Sequence, residues 1–317
     1  MLLSYTELPD NALLAVSGGG DSVALAHLYQ TGHISAAIGH VRHGTSEWQF
    51  AAERFVQNLA QELDSPFFSV EVAVQTRGGQ GYEAKCRKLR YAALAELVAR
   101  NNLSVLVTAH TRDDFAETVA IAIQRRQGIA ALAGIPEQRV LCKNSEKSIH
   151  LVRPFLHTTR NELRHWMKSL GVKWIEDPTN GNPTFALRNA IRNEWSKLSP
   201  VGYEAKLIEM EAVAEKAKER WNNAENALET VFPDWTETTG QAVAVPSHLL
   251  TQLDDDALQV FFTKVARKFG LEAGAFSRGH RSQFAAVLHS AKWGARGMLG
   301  RRLAYRLTKR ECRFTEM

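Results

Sequence analysis

The most constraining stretch of the 317-residue chain is Leu13-Leu14-Ala15-Val16-Ser17-Gly18-Gly19-Gly20-Asp21-Ser22-Val23-Ala24-Leu25, an apolar strand pattern that runs through three glycines into a helical pattern. Glycines leave the backbone free to take positive φ and let an anion reach the main-chain N–H groups. Ser17 and Ser22 add hydroxyl donors where the dipole of the following helix favours negative charge, so the stretch predicts a phosphate cradle. Asp21 alters that picture. A carboxylate beside phosphates is repelled unless it caps the helix, shares a Mg²⁺ with them, or both, which points to a metal–nucleotide rather than a bare anion.

Two commoner glycine motifs are excluded. The P-loop needs Gly-Lys-Ser/Thr, and here Gly20 is followed by Asp21-Ser22-Val23. The dinucleotide fingerprint needs a third glycine, where Val23 stands, and an acidic residue ending the second strand, which instead ends Gly39-His40-Val41-Arg42. The string does match Ser-Gly-Gly-x-Asp-Ser, and in this it resembles the PP-loop (N-type) ATP pyrophosphatases, which cleave ATP between the α and β phosphates and transfer AMP to an oxygen. The resemblance makes Ser17, Gly18, Gly19, Gly20, Asp21 and Ser22 candidates for ATP binding, with Asp21 also a metal candidate.

Up to about residue 155 the chain alternates apolar runs with helical patterns. Strands are expected near 12–17, 35–41, 67–73, 104–109 and 149–153, and helices near 21–31, 46–63, 83–100 and 113–124. This is the rhythm of an α/β fold, a Rossmann-like parallel sheet with helices on both faces. Ligands of such sheets sit beyond the carboxyl ends of the strands, where the glycine loop, His40-Val41-Arg42-His43-Gly44 and Thr108-Ala109-His110 all fall. Val41 backbone groups are candidates for an adenine edge, and His40 and His43 read equally well as loop histidines. Gly78-Gly79-Gln80-Gly81 predicts a turn before a helix carrying Arg87 and Arg90 on one face, either a solvated face or a phosphate contact.

His110-Thr111-Arg112-Asp113-Asp114-Phe115-Ala116-Glu117-Thr118 reads first as a capping box, Thr111-x-x-Asp114, with acidic residues near the positive end of a helix. That does not explain why Asp113, Asp114 and Glu117 crowd together, since mutual repulsion asks for a compensating cation. Mg²⁺ or an ammonium group would supply it. Downstream come a glycine-punctuated loop with a basic entry (Arg125-Arg126, 128–135), Arg153-Pro154, and an amphipathic helix over 158–170. The Pro/Asn/Gly-rich loop Asp177-Pro178-Thr179-Asn180 follows, and then Arg188-Asn189-x-x-Arg192 with two arginines on one helix face.

These motifs, in this order over roughly residues 12–195, resemble the tRNA(Ile)-lysidine synthetase family. Departures are local: Arg42, Thr45 and Ser46 in the second-strand loop, and Phe115 where Gln is common. The resemblance implies adenylation of O2 of the wobble cytidine in tRNA(Ile) with a CAU anticodon, then displacement of AMP by L-lysine to give lysidine. It implies ATP as substrate with Mg²⁺; Asp21, Asp113, Asp114, Arg188 and Arg192 in catalysis; Val41 and His110 with the glycine loop around ATP; Asp114 and Glu117 for lysine; and Asp21 and Asp113 for metal. For Arg188 and Arg192 the alternative is a salt bridge to Glu176 and Asp177. Rivals for the whole chain are a thiolase-type PP-loop enzyme and a non-catalytic nucleotide-dependent RNA-binding module.

Composition matters here for partners. Length suggests two domains: a catalytic domain over 1–200, a linker helix over 201–235 and a smaller, basic, mainly helical tRNA-binding domain over 236–317, where 301–314 alternates like a hairpin. Net charge is +5, but residues 201–280 carry eight Lys/Arg against thirteen Asp/Glu, and 281–317 carry nine against two. Such a tail suits a polyanion such as RNA. With no long apolar run and no signal-like start, no membrane partner and a cytoplasmic location are expected. Cys86, Cys142 and Cys312 are too scattered for a zinc, cluster or disulfide framework. A homodimer stays open.

Overall fold

The computed structural model describes residues 3–44, 46–72, 82–143, 148–176, 187–232, 242–271, 276, 278–290, 292–300 and 302–317. Thr45, the 78–81 turn and the 177–180 loop lie outside the described residues. The chain forms two compact units, one of residues 1–117 and 135–207, the other of residues 118–134 and 208–317.

The first unit is built on a six-stranded sheet of β1 (Ala12–Ala15), β2 (Ala36–Arg42), β3 (Phe67–Glu71), β4 (Val105–Val107), β5 (Gln138–Lys143) and β6 (Ser148–Val152), in the order β3-β2-β1-β4-β6-β5. The pairings from β3 through β6 are parallel, and β5 closes the edge antiparallel to β6. Side chains alternate across the sheet. Ala12, Leu14, Ile38, Val107 and Val152 pack with α1 (Gly20–Thr31), α2 (Glu47–Glu62) and α6 (Arg160–Ser169). Leu13, Ala37, Leu106 and Leu151 pack on the opposite face with Leu94 and Val98 of α3 (Tyr82–Arg100). Both faces are covered, so the strands read as nearly continuous apolar runs.

Helix starts follow local chemistry. Ser46 caps α2 by accepting from the Gln49 N–H, and Thr159 with Glu162 forms a reciprocal capping box on α6. The box predicted at 111–114 forms as well: Asp114 Oδ2 accepts from the Thr111 N–H at 3.0 Å, and the Asp114 N–H donates to Thr111 Oγ1 at 3.3 Å, opening α4 (Arg112–Gln124). The edge strand β5 is not among the expected strands. The long helix begins at Pro200, a residue whose missing N–H suits a first helical position, and α8 spans Pro200–Val231.

The second unit contains α5 (Ile129–Leu132), the later turns of α4 and α8, and an antiparallel sheet in the order β7 (Ala242–Pro246), β10 (Glu311–Glu316), β9 (Leu303–Leu307), β8 (Arg296–Leu299). The helical content expected here is present, and the predicted hairpin is β9–β10; β7 and β8 extend it into a sheet. β7 leads into two helices, α9 (Ser247–Leu250) and α10 (Asp255–Lys268), and the Asp254 side chain accepts from the Ala257 N–H and caps the second. The other helix is α11 (Arg278–His289). Phe261 and Phe262 of α10 meet Phe284 and Phe314 in a core of edge-to-face and tilted rings. Gln259 is buried yet useful: its Oε1 accepts from the Ile129 N–H at 3.1 Å at the start of α5, a short helix where a loop was expected over 128–135.

Candidate functional site

In the first sheet β1 has β2 on one side and β4 on the other, so the winding reverses between β1 and β4 and opens a crevice beyond their carboxyl ends. The glycine loop leaves β1 there. Gly18 has φ +92°, and a Cβ on it would lie 2.8 Å from Ile175 Cδ1; the Ile175 N–H donates to Gly18 O at 3.1 Å. Glycine is therefore required twice over at position 18, by conformation and by the 174–175 segment pressed against it. Ser22 Oγ donates to Gly19 O at 2.8 Å and accepts from the Ser17 N–H at 3.1 Å, so the two serines tie the loop into a fixed ring. Gly19, at the N-cap of α1, brings no capping side chain, leaving the amino end of a 12-residue helix to serve an anion.

Asp21 stands in the first turn of α1. Burial pushes its carboxyl pKa up to about 6, with Asp114 and Asp113 adding to the rise and Arg160 opposing it. Its recorded ion pair, to Arg160 Nε, is long at 3.5 Å.

The three carboxylates of α4 do meet, and the compensating cations are arginines. Arg160 donates from Nη1 to Glu117 Oε1 and from Nη2 to Asp114 Oδ1, each at 2.7 Å, while its backbone N–H donates to Asp113 Oδ2 at 2.9 Å. Arg192 repeats the pattern, from Nε to Glu117 Oε1 at 2.8 Å and from Nη2 to Asp114 Oδ1 at 3.1 Å. Arg188 adds a third guanidinium, 3.6 Å from Glu117 and 3.8 Å from Asp114. Both arginines come from α7 (Leu187–Trp195), whose Ile191 and Trp195 are buried and hold its face in place. Tyr203 donates its hydroxyl to Asp113 Oδ1, and burial together with Asp113 drives its pKa up. Burial alone would raise Asp114; the Arg160 guanidinium, then Arg192, and the Thr111 N–H overturn that and hold it far below the usual carboxylate range.

Arg160 is the residue that sequence reasoning missed. The expected salt-bridge alternative for Arg188 and Arg192 is not realised at Glu176, whose recorded pair is Arg164 at 3.8 Å; Asp177 lies outside the described residues. His110, at the end of β4, has its Nδ1 2.9 Å from Thr108 Oγ1 and its pKa pushed down to about 3 by burial, so it is a neutral ring. His40 is buried with Nδ1 on Val16 O at 2.9 Å, and His43 receives a hydrogen bond from Arg90 Nε at 3.1 Å. Gly39 O accepts from the Val16 N–H and Arg42 O from the Val72 N–H, so alternation turns the Val41 backbone groups toward the side of β1, beyond its last residue Ala15. The departures are accommodated locally: Arg42 pairs with Glu71 at 2.9 Å and Glu53 at 3.3 Å and lies over Phe50, and Phe115 is buried.

As for metal, the described residues contain no group of three His, Cys, Asp or Glu placed to enclose an ion. Mg²⁺ bound through nucleotide phosphates needs only one or two carboxylates, and Asp21 fits that need. Both oxygens of Asp113 already accept hydrogen bonds. Among the described residues no helix is long and apolar enough to cross a membrane, and the cysteines stand apart on α3, β5 and β10 as free thiols.

The PP-loop domain family model matches residues 4–198. The tRNA(Ile)-lysidine synthase of Thermus thermophilus is 41% identical over 186 residues, which is 58% of this chain and 34% of that protein. Proteins of the same name from Ruegeria pomeroyi and Histophilus somni are 32% and 29% identical, over 65% and 84% of this chain and 49% and 55% of theirs. The chain thus spans between about a third and just over half the length of these relatives.

Proposed function

The chain belongs to the PP-loop domain family, and from that premise we propose that it makes lysidine: it binds ATP and tRNA(Ile) with a CAU anticodon, and joins L-lysine to C2 of the wobble cytidine. In the first step the cytidine O2 attacks the α-phosphorus of ATP, forming an O–P bond and releasing pyrophosphate. In the second, the ε-amine of lysine, its ammonium proton released to water, attacks C2, the C2–O2 bond breaks, AMP departs with that oxygen, and the new C2–N nitrogen gives up a proton to water.

The chain's residues divide this work. The loop 17–22 and the start of α1 hold the pyrophosphate, while Val41 and His110 flank the nucleotide. Asp21 would hold Mg²⁺, which would neutralise phosphate charge there, with Asp113 as its neighbour. Asp114 and Glu117 receive the lysine ammonium, and Arg188 and Arg192 orient those carboxylates or face the departing phosphate. In this reading the catalytic domain runs over 1–200, the linker helix over 201–235 and the tRNA-binding domain over 236–317. A cytoplasmic location belongs to the same proposal, and so does a homodimer as the assembly to test.

The observation that carries the reading is the joining of the two motifs in one unit: Arg160 links Asp21 of the glycine loop to Asp114 and Glu117 of the acidic motif. An anion site and a carboxylate site side by side suit a reaction that needs a nucleotide and an ammonium together. The experiment is pyrophosphate release with each amino acid and each purified CAU-anticodon tRNA. Release that depends on tRNA(Ile), with a lysine adduct in the product, is expected. Release supported equally by elongator tRNA(Met), or no turnover with any tRNA, refutes it.

A further inference from the structure

The sheet of the second unit has one face in the core and one outside. Leu303, Tyr305 and Leu307, with Cys312 and Phe314, point inward and are buried, whereas Arg296, Arg306 and Arg313 are exposed on the other face. The register sets these three side by side: Arg296 is opposite Arg306, and Arg306 is opposite Arg313. Gly297 helps to fix this alignment. A Cβ on it would lie 2.6 Å from the Tyr305 ring, so only glycine lets β8 lie down over that ring.

Like charges directly opposite one another destabilise a sheet. Arg313 has one partner, Glu311 at 3.2 Å on its own strand, and both are about half exposed. Among the described residues no ion pair is formed by Arg296 or Arg306. The row next to the arginines is small or apolar, with Met298 opposite Ala304 and Ala304 opposite Thr315. Together these residues line a shallow open hollow. Three guanidiniums above a low floor form a strip that repels itself and attracts a chain of negative charges.

We propose that Arg296, Arg306 and Arg313 form a docking strip for the sugar–phosphate backbone of RNA. The proposal rests on the tRNA reading above and deepens it, giving the basic tail a specific contact. The occupant is a phosphate chain rather than a base edge, because the floor presents few hydrogen-bonding groups and the arginines stand in a line. Such contacts position RNA without reading sequence, and they release counterions.

The test uses the full chain with Arg296→Gln, Arg306→Gln and Arg313→Gln combined, beside the triple Arg→Lys variant. Binding of tRNA(Ile) is measured against salt concentration, together with melting temperature and lysidine formation. Each phosphate contact contributes about 0.7–0.9 to the slope of log K on log salt, so the Gln variant should lose about 2–3 from the slope and bind roughly ten- to a hundredfold more weakly near physiological salt. The Lys variant should keep most of both. The Gln variant should melt no lower than the wild type, since a self-repelling row has been removed. An unchanged slope in the Gln variant overturns the strip. Wild-type protein that forms no lysidine but binds tRNA through these arginines sinks the functional reading and leaves the strip standing. If the triple Gln variant fails to fold, Arg306→Gln alone decides, with a slope loss of about 0.7–0.9 expected and no loss refuting. Equal, arginine-dependent binding to vesicles of anionic phospholipid, with no RNA dependence, also overturns it.

Discussion

The molecule holds two arginine clusters that obey opposite rules. In the first unit, Arg160, Arg188 and Arg192 are mostly withdrawn from solvent and meet Asp114 and Glu117 at 2.7 to 3.8 Å. In the second, Arg296 and Arg306 stand exposed beside each other, with Glu311 on Arg313 as the recorded counter-charge of the row. A buried charge must be paired or the fold suffers. An exposed one can be left for a partner, because water screens it meanwhile. The first cluster is therefore part of the structure as well as the site, whereas the second can be altered without penalty to folding. Substitutions should separate these two roles.

The largest effect is expected where the first unit's charges are least compensated. Among the described residues the ion pair of Asp21 is the 3.5 Å one to Arg160, so Asp21→Ala should remove AMP formation without lowering the melting temperature. Ser17→Ala should cost about 10²–10³ in turnover, the scale for a donor facing developing phosphate charge. Undiminished AMP formation at saturating ATP, in a folded variant, removes the glycine loop from the mechanism.

Next comes Arg160→Ala, which strips one cation from a cluster of carboxylates. Asp114 and Glu117 keep Arg192, so the loss is that of the hydrogen bonds Arg160 makes to them, each about 1.5–3 kcal/mol, measurable as a shift in urea midpoint at constant slope. Arg160→Lys should recover less than half, since a point charge cannot bridge Asp114 and Glu117 as the planar fork does. A loss below about 1 kcal/mol would place the cluster with the exposed arginines rather than apart from them.

Much of this cluster was legible from spacing. Asp113, Asp114 and Glu117 announced a need for positive charge, and Arg188 and Arg192 shared a helix face. Their meeting was not legible, because it depends on where α7 lies over the sheet. Arg160 left one signal: it is the first residue of α6, where the helix dipole disfavours a cation. An arginine in that place implies carboxylates brought to it by the fold. The sheet strands β1, β2, β3, β4 and β6 were readable as largely apolar runs, but Gln138–Lys143 is a polar edge and Arg296–Leu299 lacks such a run; Ala242–Pro246 is an apolar, valine-bearing run that was legible and missed. The row of three arginines needs the register of β8, β9 and β10, which no local pattern carries.

A smaller effect distinguishes Arg192 from Arg188. Arg192 makes two short hydrogen bonds, at 2.8 and 3.1 Å, whereas the recorded approaches of Arg188 to the same carboxylates are 3.6 and 3.8 Å. Hydrogen bonds to charged groups contribute about 1.5–3 kcal/mol. Arg192→Lys should therefore lower the melting temperature as well as turnover, and should lose more at these two carboxylates than Arg188→Lys, which also lowers turnover. Single-turnover kinetics beside calorimetry checks the split. Equal losses of stability in the two variants would show that Arg188 is held as Arg192 is.

The smallest effect is a pH dependence confined to Asp21. Burial lifts its pKa from the ordinary 3.8 to about 6 in the folded protein. Between those values the folded chain holds a proton that the unfolded chain has released, so ionising Asp21 lowers stability as pH rises through that window. Asp21→Asn has nothing to ionise. Its melting temperature minus that of the wild type should be near zero at about pH 4, rise through pH 5–6 and level off above about pH 7. Wild-type turnover should move the other way, falling below pH 6 as the carboxylate that would meet Mg²⁺ gains its proton. Arg160 modulates both curves, since its guanidinium opposes the rise; Asp21→Asn in an Arg160→Lys background should show a larger and later step. A difference in melting temperature that stays flat from pH 4 to 7.5 would mean that Asp21 is solvated like a surface carboxylate, and would move it from the first arginine cluster's company to the second's.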